Sequence, residues 1–115
     1  MKSVKANERW EANVARYNEL IASCGGIERK GKTMPYTSAN GHMFSQINKD
    51  GELGIRFSSE DQKRHIEELG SGLFKSYGAV MRGYVLIPDT MWQDMDRLVR
   101  LMEESHAYVL SLDPK

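Results

Sequence analysis

The segment HMFSQINKDGELGIRFS, residues 42–58, constrains the fold of this chain more than any other feature of its sequence. Apolar side chains occupy alternate positions before and after a short polar stretch, which is the period of a strand with one buried face. The polar stretch Asn48–Gly51 contains Asp-Gly, a dipeptide suited to the positive φ angles of tight turns. The segment therefore predicts a β-hairpin.

Residues 4–23 have the spacing of an amphipathic helix, because apolar residues recur every three or four positions with charged residues on the other faces. The apolar residues are Trp10, Val14, Tyr17, Leu20 and Ile21. Gly25–Gly26 follows and ends the predicted helix, since glycine tolerates the left-handed conformation found at helix C-termini. We expect the apolar face to pack against the elements that follow.

A second helix is predicted over residues 58–69, directly after the hairpin. Ser58 or Ser59 can cap its first turn, where acidic side chains complement the helix dipole. Ile66 faces inward and Gly70 ends the helix. The hydrophobic period therefore changes from two residues to between three and four at this point.

Residues 73–77 and 81–87 predict two further strands joined by a turn at Gly78. Pro88 ends the second strand. The element order is then α-β-β-α-β-β-α, which predicts a single α+β domain over residues 1–115 with helices packed on an antiparallel sheet.

A long final helix is predicted to begin at Asp89 or Thr90 and to continue for about six turns. Thr90 and Gln93 have the spacing of a capping box. A kink is expected near Ser105–His106. The apolar stripe steps alternately by four and three residues and includes Met91, Met95, Leu98, Met102, Val109 and Leu112.

Composition limits the function classes. Hydrophobic residues make up 40% and charged residues 28% of the chain, as in globular domains. No apolar run approaches the roughly 18–20 residues that span a bilayer, and the N-terminal segment lacks the apolar core of a secretory signal. Cys24 is the single cysteine, which excludes an internal disulfide and a cysteine-cluster metal site. We therefore expect a cytoplasmic protein that does not enter a membrane.

The charge balance disfavours direct nucleic-acid binding. The chain has 16 basic and 16 acidic side chains, a formal net charge of zero. A domain that holds the DNA backbone needs a basic excess gathered on one face. Such binding would require a local patch made by Lys30, Lys32 and their neighbours.

No motif in the sequence indicates catalysis. His42, His65 and His106 lie in different elements without the spacing of metal ligands. Each is expected to be exposed or to make one hydrogen bond, and His65 is expected on a solvated helix face. Cys24 lies at a helix C-terminus, where thiolates are not favoured, and is expected to be a small buried hydrophobe. We predict that the chain is not an enzyme and holds neither a cofactor nor a metal.

Two candidate contact surfaces remain. An exposed sheet edge and an apolar strip on the final helix could each dock a protein partner or a second copy of the chain. The strip consists of Trp92, Val99, Leu101 and Tyr108.

The alternative is a small-molecule-binding site or active site that uses the polar segment 36–42. In this hypothesis the segment converges with two strand arginines into one pocket formed by Tyr36, Asn40, His42, Arg56 and Arg82. The same segment is also typical of an ordinary turn at Asn40-Gly41. We predict the turn, with the side chains of Tyr36, Asn40 and His42 in contact with water only.

Three blocks carry a resemblance to a known family: NGHMFSQINKDGELGIRFS, LFKSYGAVMRGYVLIPD and SHAYVLSLDPK. Their patterns G-x-M-F, YGAVM-x-x-Y-V-x-x-P and Y-V-x-S-L-x-P-K occur in this order within a region from about residue 31 to the end. The chain resembles the N-terminal domain of the TfoX/Sxy proteins, and more closely the small stand-alone members of that family.

The resemblance implies a two-layer domain with a five-stranded antiparallel sheet of the kind shared with secretion chaperones. It adds a strand near residues 32–37, so that the order becomes α-β-β-β-α-β-β-α. Full-length TfoX/Sxy proteins regulate competence genes alongside a cAMP-receptor-type activator and have a second, helical domain. Together with the candidate contact surfaces, the resemblance leads us to expect a non-enzymatic interaction module, with a possible role in transcription regulation, that acts with a protein partner or as a homodimer.

Overall fold

The structure is a computed structural model that describes the backbone of residues 2–115 and the side chains from residue 8 onward. Its elements follow the order α-β-β-β-α-β-β-α, as the resemblance implies. The helices are α1 (Lys2–Ser23), α2 (Ser59–Leu69) and α3 (Met95–Leu110), and a short 3-10 helix (Asp89–Gln93) precedes α3. The strands are β1 (Tyr36–Ala39), β2 (His42–Ile47), β3 (Leu53–Arg56), β4 (Leu73–Ser76) and β5 (Ala79–Ile87).

The five strands form one antiparallel sheet in the order β1-β2-β3-β5-β4. The last strand in sequence pairs with β3, so β4 lies outside it at one edge and β1 lies at the other. Helix α2 carries the chain from β3 to that outer position and packs on β5. The predicted α+β class and the antiparallel sheet are confirmed.

The predicted hairpin is confirmed as β2 and β3. Asn48 organises its turn, since the side-chain Oδ1 accepts the backbone N–H groups of Asp50 at 3.0 Å and Glu52 at 2.9 Å. Gly51 has a φ of 83°, which glycine adopts without strain. The turn therefore depends on the residue types that predicted it.

The main core lies between the helices and one face of the sheet. Helix α1 contributes Tyr17 and Leu20. Ile47, Leu53 and Ile55 come from the hairpin, while α3 contributes Leu98, Met102 and Val109. Helix α2 begins and ends as predicted, because the Ser58 hydroxyl accepts the N–H of Asp61 at 3.2 Å and Gly70 closes the helix with a φ of 58°.

A second, smaller apolar cluster lies on the opposite face of the sheet. Gly54 faces this side, because its neighbours Leu53 and Ile55 face the main core. A Cβ atom at Gly54 would collide with the Phe74 ring. Phe74 is fully buried, and its ring stacks on Tyr84 with the centroids 5.8 Å apart. Strand β4 therefore curls over the outer face instead of extending the sheet flat.

The predicted long final helix is wrong at its beginning. The chain forms a 3-10 helix over Asp89–Gln93 and interrupts it at Asp94, whose φ is −121° and ψ is 70°. The Asp94 carboxylate accepts the N–H of Arg97 at 3.2 Å and caps α3. The 3-10 helix has no side-chain cap, so Thr90 does not have its predicted role. A short acidic side chain can accept hydrogen bonds from backbone N–H groups that follow it, so Asp94 ends the 3-10 helix and caps a new α-helix.

Helix α3 then continues without interruption to Leu110, past the position at Ser105–His106 where a kink was expected. The Ser105 hydroxyl donates to the carbonyl of Arg56. The strand expected near residues 32–37 lies further along, at Tyr36–Ala39. It begins after Pro35, because proline has no N–H to donate to a strand ladder.

Candidate functional site

The turn at Asn40-Gly41 holds the C-terminal end of α3. The Asn40 side-chain amide donates to the carbonyls of Val109 at 3.0 Å and Leu112 at 2.8 Å. A ring nitrogen of His42 lies 2.8 Å from the carbonyl of Asp113. The segment is a turn, as predicted, but the expectation that these side chains contact only water is wrong. The last carbonyls of a helix have no partner within the helix, so a polar side chain such as that of Asn40 can donate to them.

The predicted five-residue pocket does not form. Asn40 and His42 bind the end of α3, and the Tyr36 ring packs against Gly31, where an added Cβ would be 3.0 Å from the ring. Arg56 and Arg82 lie elsewhere, on the walls of a different cleft. Arg56 and Arg82 therefore lie at one cleft, whose lining does not include Tyr36, Asn40 or His42.

The predicted apolar strip on the final helix contacts the core. Leu101 is only 5% exposed, so the expectation that it stays outside is wrong. Trp92, Val99 and Tyr108 are half-buried and pack against the main core. The most exposed apolar side chain of α3 is Leu110, which the sequence stripe does not single out. Leu98 and Met102 of the predicted stripe are buried, so the inward face of α3 is wider than the stripe and includes Leu101.

His65 makes one hydrogen bond, as expected, but it does not lie on a solvated helix face. It is buried, with its ring against Phe57 at a centroid distance of 4.4 Å. Its Nε2 lies 2.9 Å from a carboxylate oxygen of Glu104, which joins α2 to α3. The charged neighbours along α2 indicated a solvated face, whereas a histidine can bury its ring and direct one nitrogen to a partner. It is a structural histidine that links two helices.

Cys24 is buried, as predicted for a small apolar side chain. Burial, together with the charge of Glu103, raises the pKa of its thiol to about 11. The thiol is therefore neutral at ordinary pH, and its reactivity is low. Among the described side chains, no group of three or more His, Cys, Asp and Glu residues could hold a metal ion. No helix in residues 2–115 combines the length and apolar character needed to cross a bilayer.

The β4–β5 hairpin carries exposed apolar side chains that sequence periodicity did not indicate. Leu73 and Val80 are each 50% exposed, and Tyr77 is 78% exposed. Tyr77 and Gly78 form the turn, with φ angles of 54° and 75°. Two-residue turns with positive φ prefer Asn, Asp or Gly at the first position. We name Leu73, Tyr77 and Val80 the hairpin surface.

The Tyr77 side chain also borders a cleft of about 520 Å³ on the main body of the protein. Trp10 from α1 and Met34 from the loop before β1 provide apolar walls. Lys32 and Lys49 lie at the same cleft. Residues from four separate parts of the chain therefore meet beside the hairpin tip.

A second cleft, of about 650 Å³, is strongly basic. Its walls come from the end of β3, the first turns of α2, the bend of β5 and one residue of α3. The polar and charged side chains among them are Arg56, Ser59, Gln62, Lys63, Arg82 and Tyr108. We call this the basic cleft. Its charge comes from three cations and no carboxylate lines it.

No protein-family model matches the chain, and no curated protein matches it. The geometry of the hairpin surface and of the basic cleft is therefore the basis for assigning a function.

Proposed function

We propose that the protein is a non-enzymatic cytoplasmic interaction module of the TfoX/Sxy N-terminal type, and that the hairpin surface contacts its protein partner. The supporting observation is Tyr77, a large aromatic side chain that is 78% exposed on a backbone with a φ of 54°.

Tyr77 is poorly suited to its position on structural grounds alone. A non-glycine residue in the left-handed region costs on the order of 1–3 kcal/mol, and asparagine tolerates this region better than tyrosine. The exposed ring gains little from packing within its own chain. Tyrosine is, however, enriched among the residues that dominate binding energy at protein interfaces. A binding role explains why an unfavourable residue occupies the turn.

The residues around Tyr77 extend this surface. Leu73 and Lys75 lie two positions apart on one face of β4, and Lys75 is paired with Val80 across the hairpin. Burial alternates along β4, where Leu73 and Lys75 are exposed, although the register with β5 shifts between these two residues. Leu73 and Val80 therefore lie on either side of one exposed lysine. Of the large hydrophobic side chains that are exposed in the described part of the chain, only Leu110 lies elsewhere.

The partner can be a second copy of the chain. The formal net charge is zero, so no long-range repulsion opposes association of two copies. An isologous dimer would bring the hairpin surface of each copy against the same surface of the other. The proposal also covers a different protein that presents an apolar patch.

The test compares the protein with the variants Tyr77→Asn and Leu110→Thr. Sedimentation velocity between about 1 and 100 μM covers the range in which weak interfaces dissociate. Affinity capture from a lysate of the source cells detects a different partner. We expect an associated state, or a captured protein, that Tyr77→Asn loses and Leu110→Thr keeps.

Tyr77→Asn is an informative variant because asparagine tolerates the positive φ angle of this turn better than tyrosine does. Its free energy of unfolding is expected to rise by about 1 kcal/mol as the backbone strain is relieved. Loss of binding by a more stable variant cannot result from unfolding. A monomer without a specific partner, or association that is equal in all three proteins, would contradict the proposal.

A further inference from the structure

We propose that the basic cleft binds a small molecule that carries a phosphate group. This site is separate from the hairpin surface, and its ligand class does not follow from the interaction function. The inference depends on the shape of the cleft, its charge and the way in which its arginines are held.

The cleft is concave and has the size of a small-molecule site. Its volume of about 650 Å³ lies within the range of roughly 300–1,000 Å³ that is typical of ligand pockets. Phe57, at the end of the hairpin, is buried and gives the cleft an apolar wall. A recessed site of this kind suits a small anion better than the convex backbone of a nucleic-acid duplex.

The charge of the cleft is not balanced by the protein. Arg56, Lys63 and Arg82 form no ion pair with any described side chain. Asp61, two residues before Lys63, pairs with Arg64 at 3.1 Å instead. In a chain whose formal net charge is zero, three unpaired cations around one cleft are a local excess.

Arg56 is oriented by an aromatic ring. Its guanidinium carbon lies 5.8 Å from the centroid of the Tyr108 ring, within the distance of a cation–π contact. Arg56 forms no ion pair with a described side chain, so its N–H groups are available to an anion. The planar guanidinium fork matches the oxygens of a phosphate group in a bidentate arrangement.

Arg82 reaches the same cleft because β5 bends beside it. Gly83 has a φ of 84°, and a Cβ atom there would lie 3.3 Å from the carbonyl oxygen of Phe57 and 3.5 Å from Cγ of Arg56. The absence of a side chain at Gly83 lets the two strands approach closely. The bend therefore brings both arginines to one side of the cleft.

The first turns of α2 form the opposite wall. Ser59, the first residue of this 11-residue helix, lines the cleft, and Lys63 lies one turn later. The positive end of the α2 dipole is already offset by Glu60 and Asp61 in the same turn, so the attraction of an anion comes from the cationic side chains. The three cations of the cleft match the charge of a phosphate dianion better than that of a single carboxylate.

The test uses inorganic pyrophosphate as the probe, with acetate at the same ionic strength as the monocarboxylate control. Titrations followed by amide NMR are expected to move the signals of Ser59, Lys63 and Gly83 with pyrophosphate and not with acetate. Arg82→Gln is expected to weaken binding at least about tenfold. The exposed Arg100 lies outside the cleft, so Arg100→Gln, with the same change of charge, is expected to alter binding by less than about twofold.

Several results would overturn the inference. These are equal weakening by Arg82→Gln and Arg100→Gln, signal changes spread over unrelated surfaces, or equal responses to acetate and pyrophosphate. A single-stranded oligonucleotide of about eight nucleotides is titrated as an additional probe. Tighter binding of this probe than of pyrophosphate, with a steep salt dependence, would identify a nucleic-acid surface instead. Tyr77→Asn is expected to bind pyrophosphate normally, so the two proposals can fail independently.

Discussion

Gly54 shows how the role of one residue depends on a strand that is distant in sequence. Within its own strand, glycine provides no side chain to pack, and it weakens the β-propensity of the segment. The role of Gly54 follows from its contact with Phe74, whose ring occupies the space where a Cβ would be. The outer apolar cluster, including the contact of Phe74 with Tyr84, requires this close approach.

Asn48 makes a similar long-range contribution at the residue scale. Its Oδ1 closes the β2–β3 turn, and its Nδ2 donates to the carbonyl of Lys75 at 2.8 Å. One buried amide therefore connects the turn to the strand that curls over the sheet. The turn role was predictable from the residue type, whereas the bond to β4 depends on the packing of the outer face.

Cys24 leads to a prediction about alkaline pH. Its pKa is raised from its ordinary value of 9.0 to about 11, so the folded state keeps a proton that the unfolded state releases. The stabilising contribution is complete below pH 9 and is lost as the pH rises towards 11. The free energy of unfolding should fall in this window by about 1 kcal/mol per pH unit from this thiol.

Urea unfolding of the protein and of Cys24→Ala between pH 8 and pH 11 checks this prediction, because the variant lacks the thiol. Tyr17 and Tyr84, whose pKa values are also raised by burial, titrate in both proteins and therefore cancel in the comparison. The alanine variant is expected to show the shallower decline. Parallel curves for the two proteins would refute the assignment of this window to Cys24.

At the scale of elements, the start of α3 distinguishes two capping hypotheses. The sequence spacing favours Thr90 as the cap of one long helix, and the structure places the cap at Asp94. Asp94→Ala is expected to lower the free energy of unfolding by about 1 kcal/mol, since the N–H of Arg97 loses its acceptor.

Thr90→Ala is the matched control. Thr90 is exposed and makes no capping bond, so its replacement should change the free energy of unfolding by less than about 0.5 kcal/mol. Thermal or urea unfolding followed by far-UV circular dichroism measures both variants. The opposite ranking, with Thr90→Ala the more harmful, would mean that the helix begins at Thr90.

Helix α2 and the C-terminal end of α3 differ in how far their bounds can be predicted from the sequence. Helix α2 could be bounded from its sequence, because Ser58 and Gly70 act on amides and carbonyls only a few residues away. The C-terminal end of α3 is bound by Asn40, which lies 69 residues before Val109. No local pattern contains that partner.

At the scale of the whole molecule, both tryptophans report on one cooperative core. Trp10 packs against the core from α1 and also contacts the β2–β3 turn, where a Cβ at Gly51 would lie 3.1 Å from the Trp10 Cα. Trp92 packs against the same core from the 3-10 helix. A single domain of this size is expected to unfold in one transition.

The variants Trp10→Phe and Trp92→Phe each leave one fluorescent reporter. In urea, the fluorescence midpoint of each variant should coincide with the midpoint of its own far-UV circular dichroism curve. Separate midpoints for the Trp92→Phe variant, with the Trp10 signal changing at lower urea, would show that α1 unfolds before the sheet. That result would contradict a single cooperative domain.

The sequence alone determined the features that depend on neighbouring residues. It predicted the β2–β3 hairpin, the bounds of α2, the burial of Cys24 and the α+β class, because turn residues, caps and hydrophobic periods act over a few positions. It also indicated that Arg56 and Arg82 belong to strands, but not which cleft they share.

Only the tertiary structure decided the features that depend on contacts between distant segments. It placed β5 beside β3, set Phe74 on Gly54, buried His65 and Leu101, and joined the Asn40 turn to the end of α3. The basic cleft belongs to this second group, since its walls come from β3, α2, β5 and α3. Such contacts depend on the relative positions of whole elements, which a local pattern of side chains does not contain.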